Sequence, residues 1–271
     1  MTRARPLLGT VVSLQVHLGD GNAQRVAHAI AEAFSAMAHI SRVMSAHDAH
    51  SDLGRLAQAK GGDVLTLDAQ TVYVMRAAQH WVKASGGAFN PCGAAQTLSR
   101  LKLRPGLTGD ARGGLNDMEI LGDTTVRLAQ AVKLDLGGIA KGYAVDCAIE
   151  VLLAHGVRDA LVNAGGDMRA IGQRKWPVDV RHAQRTLTDA SLERVRHIQQ
   201  RAMATSVAGQ LNPEFVPARA LHESKWRSVT VQADTCLVAD VLTKWALQSS
   251  LLCPSLNQAL RMNRGRMWRS R

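Results

Sequence analysis

Leu134-Asp135-Leu136-Gly137-Gly138-Ile139-Ala140-Lys141-Gly142 runs an apolar stretch into paired glycines and then into residues of helical character. Such an arrangement suits an anion. Glycines let backbone amides approach a phosphate, and a following helix start offers free N–H groups and the positive end of its dipole. Lys141 adds a mobile positive charge. The order is not that of a Walker loop, because Lys141 precedes Gly142 where Gly-Lys-Ser/Thr is required, and the Rossmann Gly-x-Gly-x-x-Gly spacing is also missing. By pattern alone the segment is either a phosphate cradle or a strand-to-helix turn without a ligand.

Other segments offer comparable groups. Asn163-Ala164-Gly165-Gly166-Asp167 ends an apolar stretch with a glycine pair and a carboxylate. It either lines the same site or forms a turn in which Asp167 accepts from local amides. Ser85-Gly86-Gly87-Ala88-Phe89-Asn90-Pro91 places a rare aromatic in a glycine loop, which alone would be a helix cap with Phe89 in the core. Asp240, followed by Thr243, lies in the first turns of an otherwise apolar helix. A carboxylate and a hydroxyl there suit a hard cation with oxygen ligands, but helix-start Asp is also a routine cap.

The elements that must position these groups follow from periodicity. Residues 10–18 alternate after Gly9 and predict a strand that opens the main sheet. Apolar residues at helical spacing predict a long amphipathic helix over 23–43, and a second helix runs over 70–84, with Asp68 near its start and Gly86-Gly87 as its stop. A short helical turn is expected at 53–56. Residues 92–117 read as an irregular excursion. Strands are expected at 118–121, 125–128, 131–136, 160–163, 168–171, 177–180 and 228–232, with helices over 142–155 and 236–249. The fold class is therefore mixed α and β, without internal repeats, and the length allows one large domain or two intimately joined ones.

Bulk properties narrow the function. A chain of 271 residues with 46% hydrophobic and 20% charged residues can bury a substantial core and is far from disordered composition. The net charge of +11 favours anionic partners. No helix-turn-helix, RNP or zinc-finger pattern accompanies it, so the basic C-terminal stretch over 261–271 and the basic run over 181–201 are expected to be solvated faces rather than nucleic-acid contacts. Cys92, Cys147, Cys236 and Cys253 lack metal spacing and are expected as buried free thiols. No stretch is long enough to span a bilayer, and the chain as written carries no signal peptide, so a cytoplasmic location is expected, periplasmic only if the N-terminus was trimmed.

In this order the segments resemble the FAD:protein FMN transferase family, often called ApbE-like. The likeness also takes in Pro6-Leu7-Leu8-Gly9-Thr10, Met44-Ser45-Ala46-His47, Ser51-Asp52-Leu53, Ala204-Thr205-Ser206 and Ser228-Val229-Thr230-Val231. It implies a single domain over residues 1–271 with an α+β fold, a mainly antiparallel or mixed sheet flanked by helices, with the active site in a cleft between two closely associated subdomains. It further implies transfer of FMN from FAD to a Thr or Ser hydroxyl of an acceptor flavoprotein, with AMP released and Mg2+ required. Flavin or dinucleotide contacts fall on His47, Ala88, Phe89, Asn90, Asp135 and Lys141, with Asp167 as a further lining group. Metal contacts fall on the Gly138 carbonyl, Asp240 and the Thr243 hydroxyl, and catalytic roles on Asp240, Lys141 and His222.

The sequence departs from the family at definite places. His47 stands where many members have Tyr, and Asn90 where they have Asp. The metal-binding Thr expected four residues after the Asp is Lys244, with Thr243 one position earlier. Between Ser206 and Ser228 the usual His, Asp-Pro and Thr-Gly loop is missing, and His222 is the substitute acid/base candidate. Two further readings therefore stand beside the transferase: an FAD-binding carrier without transfer, and an FAD pyrophosphatase using water.

Overall fold

The computed structural model describes residues 1–19, 22–92, 113–179, 195–208, 226–249 and 253–270. Strands β1 (Thr2–Leu7) and β2 (Thr10–Val16) form a hairpin whose two linking residues, Leu8 and Gly9, both have positive φ. That turn matches the twist of the flanking strands and sets the register, Leu7 opposite Thr10. Helix α1 (Ala23–Val43) starts where the Asn22 side chain accepts from the Gln24 and Arg25 amides. It is followed by α2 (Asp52–Gln58), β3 (Val64–Thr66) and α3 (Ala69–Ala84), the last capped by Asp68. A 3-10 turn, Leu115–Asp117, leads into β4 (Met118–Ile120) and β5 (Thr125–Leu128). Then come α4 (Ala140–Ala154), β6 (Ala160–Ala164), β7 (Asp167–Ile171), β8 (Trp176–Asp179), β9 (Val195–Ile198) and β10 (Ala202–Val207). The chain closes with β11 (Ser228–Ala233), α5 (Cys236–Gln248), α6 (Pro254–Met262) and β12 (Arg266–Ser270).

The main sheet has the order β1-β2-β6-β7-β10-β11-β12, and every neighbouring pair is antiparallel. Alternation along β6 shows how it is sandwiched. Ala160, Val162 and Ala164 join the large core with α1, α4 and α5, whereas Leu161 joins a smaller cluster with Met168, Trp176, Val178, Ile198 and Met203 beneath the β8-β9 ribbon. Helix α1 packs on α4, α4 on α5, and α5 on β10 and β11. A second sheet, β3-β5-β4, carries the α3 side of the chain.

Several expectations change. Residues 131–136 do not form a strand; Leu134 and Leu136 are buried, and the Asp135 amide donates to the Pro91 carbonyl at 3.0 Å instead of joining a ladder. Strands β1, β3, β9, β10 and β12 and helix α6 were not anticipated. The basic C-terminal stretch is not a solvated tail: Arg266–Ser270 pairs with β11, and the Arg269 guanidinium lies 4.9 Å from the centroid of the Trp226 ring. Of the four cysteines, all free, Cys92 and Cys236 are buried while Cys147 and Cys253 are only half-buried. Most of the excursion expected over 92–117 and of the basic run over 181–201 lies outside the described residues, as does His222. Among the described residues no helix is long and apolar enough to cross a membrane.

Candidate functional site

Two helix starts meet at the site. The first residues of α4 run directly against those of α5, and a Cβ at Gly142 would overlap the Cys236 carbonyl oxygen, so only glycine permits this approach. Each helix start is satisfied by a carboxylate from the other. Asp146 of α4 accepts from the Cys236 and Leu237 amides at 2.9 and 2.8 Å, and Asp240 of α5 accepts from the Gly142 amide at 3.3 Å. Orphan N–H groups at helix starts need such acceptors when buried. Asp240 therefore does not cap its own helix; Thr235 does, accepting from Val238. Asp146, given no role by sequence, also pairs with Arg169 at 3.0 Å.

Around this junction several expected residues converge. Lys141, in the first turn of α4, stands 3.0 Å from the Asp167 carboxylate on β7. The glycine pair before Asp167 turns β6 into β7 with φ of 68° and 109°, and Asn163, rather than Asp167, accepts from the Gly166 amide at 2.9 Å. Asp167 is thus aimed inward, only 2% exposed. Burial and the neighbouring Asp240 charge push its carboxyl above the usual carboxylate range, with Lys244 and Lys141 opposing. Burial alone would lower the Lys141 ammonium, yet the Asp167 and Asp240 charges outweigh it and hold it well above its usual range.

The glycine loop completes the constellation. The Gly137 amide donates to Asp135 at 2.7 Å, and Gly138 faces Phe89 and the aliphatic stem of Lys244, each within 3.6 Å of where its Cβ would stand. Phe89 is buried, anchored by its amide donating to Ser85 Oγ at 3.0 Å, and Ala88 and Asn90 flank it half-buried. The Asn90 side chain accepts from the Cys92 amide at 3.0 Å. Burial raises the Asp135 carboxyl, and the Gly137 amide, His47, Lys141 and Lys244 pull it back. His47, exposed on its loop, thereby shares one electrostatic neighbourhood with groups from 135, 141 and 244. Residues from segments far apart in sequence, Phe89, Gly138, Lys141, Asp167, Asp240 and Lys244, are brought together.

Two of the three expected metal ligands, Asp240 and Thr243, are engaged by other groups. Asp240, fully buried, has one carboxylate oxygen on the Gly142 amide and the other in an ion pair with the Lys244 ammonium. The Thr243 hydroxyl, also fully buried, donates to the Asp240 main-chain carbonyl at 2.7 Å; its single proton being used, the Ser206 hydroxyl donates to it at 2.7 Å. Among the described residues no group of three or more His, Cys, Asp or Glu is placed to hold a metal ion. Sequence reasoning saw Lys244 only as a missing hydroxyl. The i, i+4 spacing of Asp240 and Lys244 on one helix face carried the pairing.

A cavity of about 510 Å³, lined by Gly156, Arg158, Arg169, Ile171 and Asp234 among others, lies elsewhere. It runs from the last turn of α4 to Arg169, and its lining includes none of Lys141, Asp167, Asp240 and Lys244.

A sequence model described as the ApbE family matches residues 8–250. The chain is 31% identical over 203 residues to the FAD:protein FMN transferase of Treponema pallidum, a match covering 68% of this chain and 55% of that protein. It is 44% identical over 70 residues to the FAD:protein FMN transferase of Rhodobacter capsulatus, covering 25% of this chain and 13% of that one. The chain thus matches about half the length of the first of these relatives and less of the second. In fold it resembles the apo crystal structure of Pseudomonas stutzeri flavinyl transferase ApbE (TM-score 0.76, 20% identity, covering 98% of this chain and 89% of that chain). The ApbE protein of Thermotoga maritima gives a TM-score of 0.75 at 24% identity, covering 100% of this chain and 96% of that chain.

Proposed function

We propose that this chain, which belongs to the ApbE family, binds FAD at the α4-α5 junction and transfers its FMN moiety to a Thr or Ser hydroxyl of an acceptor flavoprotein, releasing AMP. The observation that carries the reading is the convergence of Lys141, Asp167, Asp240 and Lys244 beside the Gly137-Gly138 loop and Phe89. Two ammonium groups beside a glycine loop at a helix start are suited to a pyrophosphate, and a buried aromatic wall is suited to a flat ring.

In the transfer the acceptor hydroxyl oxygen forms a bond to the FMN phosphorus of FAD, and the bond from that phosphorus to the bridging oxygen breaks. AMP leaves with the bridging oxygen, and the hydroxyl proton passes to a base, for which His222 is the candidate. Phosphoryl chemistry of this kind needs positioning and charge stabilisation more than covalent help. Lys141, fixed by Asp167, and Lys244 would supply the charge; Asp135, His47, Ala88 and Asn90 would orient the flavin and its ribityl chain. Magnesium is part of the family resemblance, but the donors here do not fit it, and no step is routed through a metal.

The pairing of Asp240 with Lys244 also favours a second reading, FAD binding without transfer. One incubation separates the readings. Purified protein is mixed with FAD and an FMN-binding acceptor, with and without magnesium, and AMP release and acceptor mass are followed. The transferase reading expects an acceptor heavier by FMN and an equivalent of AMP. AMP with free FMN would instead mean hydrolysis, retained FAD without AMP a carrier, and no affinity for FAD would end both readings of the site.

A further inference from the structure

Lys244 is one helical turn beyond Asp240, so its side chain returns over the same face of α5 and its ammonium closes on the buried carboxylate. The lysine is not a loose surface cation: its side chain is 13% exposed, and its stem passes along Gly138. Its charge reaches both Asp135 and Asp167. A divalent cation bound to Asp240 would need oxygen ligands about 2.0–2.1 Å away if magnesium, in near-octahedral geometry. It would then share one carboxylate with a fixed ammonium of like charge, while the Thr243 hydroxyl faces Ser206 and the Asp240 carbonyl. Lysine is itself an established phosphate partner, acting as a compact point charge.

We propose that the Lys244 ammonium takes the place of the divalent cation in this chain, so that the pyrophosphate of FAD is bound without a metal and Asp240 serves to position Lys244. The inference rests on the reading of the site as one for FAD, and it concerns which group neutralises the phosphates. Lys141, from the first turn of α4, and Lys244, from the third turn of α5, then approach the pyrophosphate, each ammonium held by its own buried carboxylate, Asp167 and Asp240.

The test is FAD affinity by quenching of flavin fluorescence, in chelator and in excess magnesium. The inference expects a dissociation constant that changes by less than about twofold; an increase in affinity of tenfold or more with magnesium, about 1.4 kcal/mol, would overturn it while leaving the FAD reading intact. Absence of quenching in both conditions would instead bring down the FAD reading and the inference with it. A second readout needs neither FAD nor turnover: manganese titrated into the protein alone and followed by electron paramagnetic resonance. Wild type is expected to take up no ion at this site, and Lys244→Thr to gain one and to lose about tenfold in FAD affinity in chelator, restored by magnesium. Lys244→Arg should keep metal-independent binding. If Lys244→Thr does not fold, the wild-type titration still decides: one manganese per chain that Asp240→Asn releases would refute the substitution of lysine for metal.

Discussion

Asp146 and Asp240 occupy reciprocal positions, each on one helix and each accepting from the start of the other, yet they are finished differently. Asp146 is closed by two backbone amides and Arg169, groups that belong to the scaffold. Asp240 has one amide, and its remaining oxygen holds a lysine that reaches the glycine loop. A buried carboxylate is therefore structural or functional according to what its last partner touches. The same substitution at the two positions should separate the two outcomes.

The largest effect is expected at Asp146. Asp146→Asn keeps one acceptor oxygen but turns the other into an NH2 donor, which then faces a buried backbone amide that needs an acceptor, and it removes the charge opposite the Arg169 guanidinium. Breaking such a pair leaves uncompensated buried groups, and a loss of about 3 kcal/mol in urea unfolding is expected. A variant as stable as wild type would show that the helix starts are satisfied by other means. At Asp240 the order reverses. Asp240→Asn leaves Lys244 free to turn toward solvent, so stability should fall by only about 1 kcal/mol, while FAD affinity falls about tenfold because the ammonium is no longer held. Equal stability losses at both positions would erase the distinction.

Legibility in the sequence follows the same contrast. Helix α1 was readable to its ends, because its apolar residues repeat at helical spacing and Asn22 supplies the cap. The glycine turns were readable because glycine alone tolerates the positive φ of Gly165 and Gly166. Strands β1 and β12 were not, since they are the edges of the main sheet; β1 is largely exposed and β12 is rich in arginine, so neither shows apolar alternation. Residues 131–136 had the composition of a strand but found no ladder partner, which only tertiary structure decides. Among the residues that converge, Lys141, Asp167 and Asp240 stand out in the sequence by their neighbours. Asp146 was missed although it carries the signal that marked Asp240, a carboxylate within an apolar helical stretch, Ala144-Val145-Asp146-Cys147-Ala148-Ile149. Whether Lys244 would replace or merely neighbour a ligand depended on the rotamer and burial of its stem, which no spacing rule contains.

Thr243 sharpens the functional side of the comparison. If its hydroxyl serves packing and the Ser206 bond, Thr243→Val should cost about 1 kcal/mol of stability and leave FAD affinity unchanged in chelator and in magnesium. A loss of affinity confined to magnesium would mark the hydroxyl as a ligand and count against Lys244.

The smallest effect is a slope in pH, and it distinguishes Asp167 from an ordinary surface carboxylate. Burial and the Asp240 charge raise the Asp167 carboxyl above 3.8 in the folded chain. Between 3.8 and the raised folded value the native state still holds a proton that the unfolded chain has released. The native state thus binds more protons there, and stability contributed by this group falls as pH rises, the reverse of a carboxylate whose pairing lowers it. Asp167→Asn removes the titration. The stability of the variant relative to wild type should accordingly climb as pH is raised above 3.8, measured by urea unfolding at matched ionic strength. Lys141 works against the trend, since the ion pair that the variant loses exists only where Asp167 is charged. A relative stability that instead fell with pH would mean that this pair, and not burial, governs the carboxylate, placing Asp167 with the fully compensated groups of the scaffold.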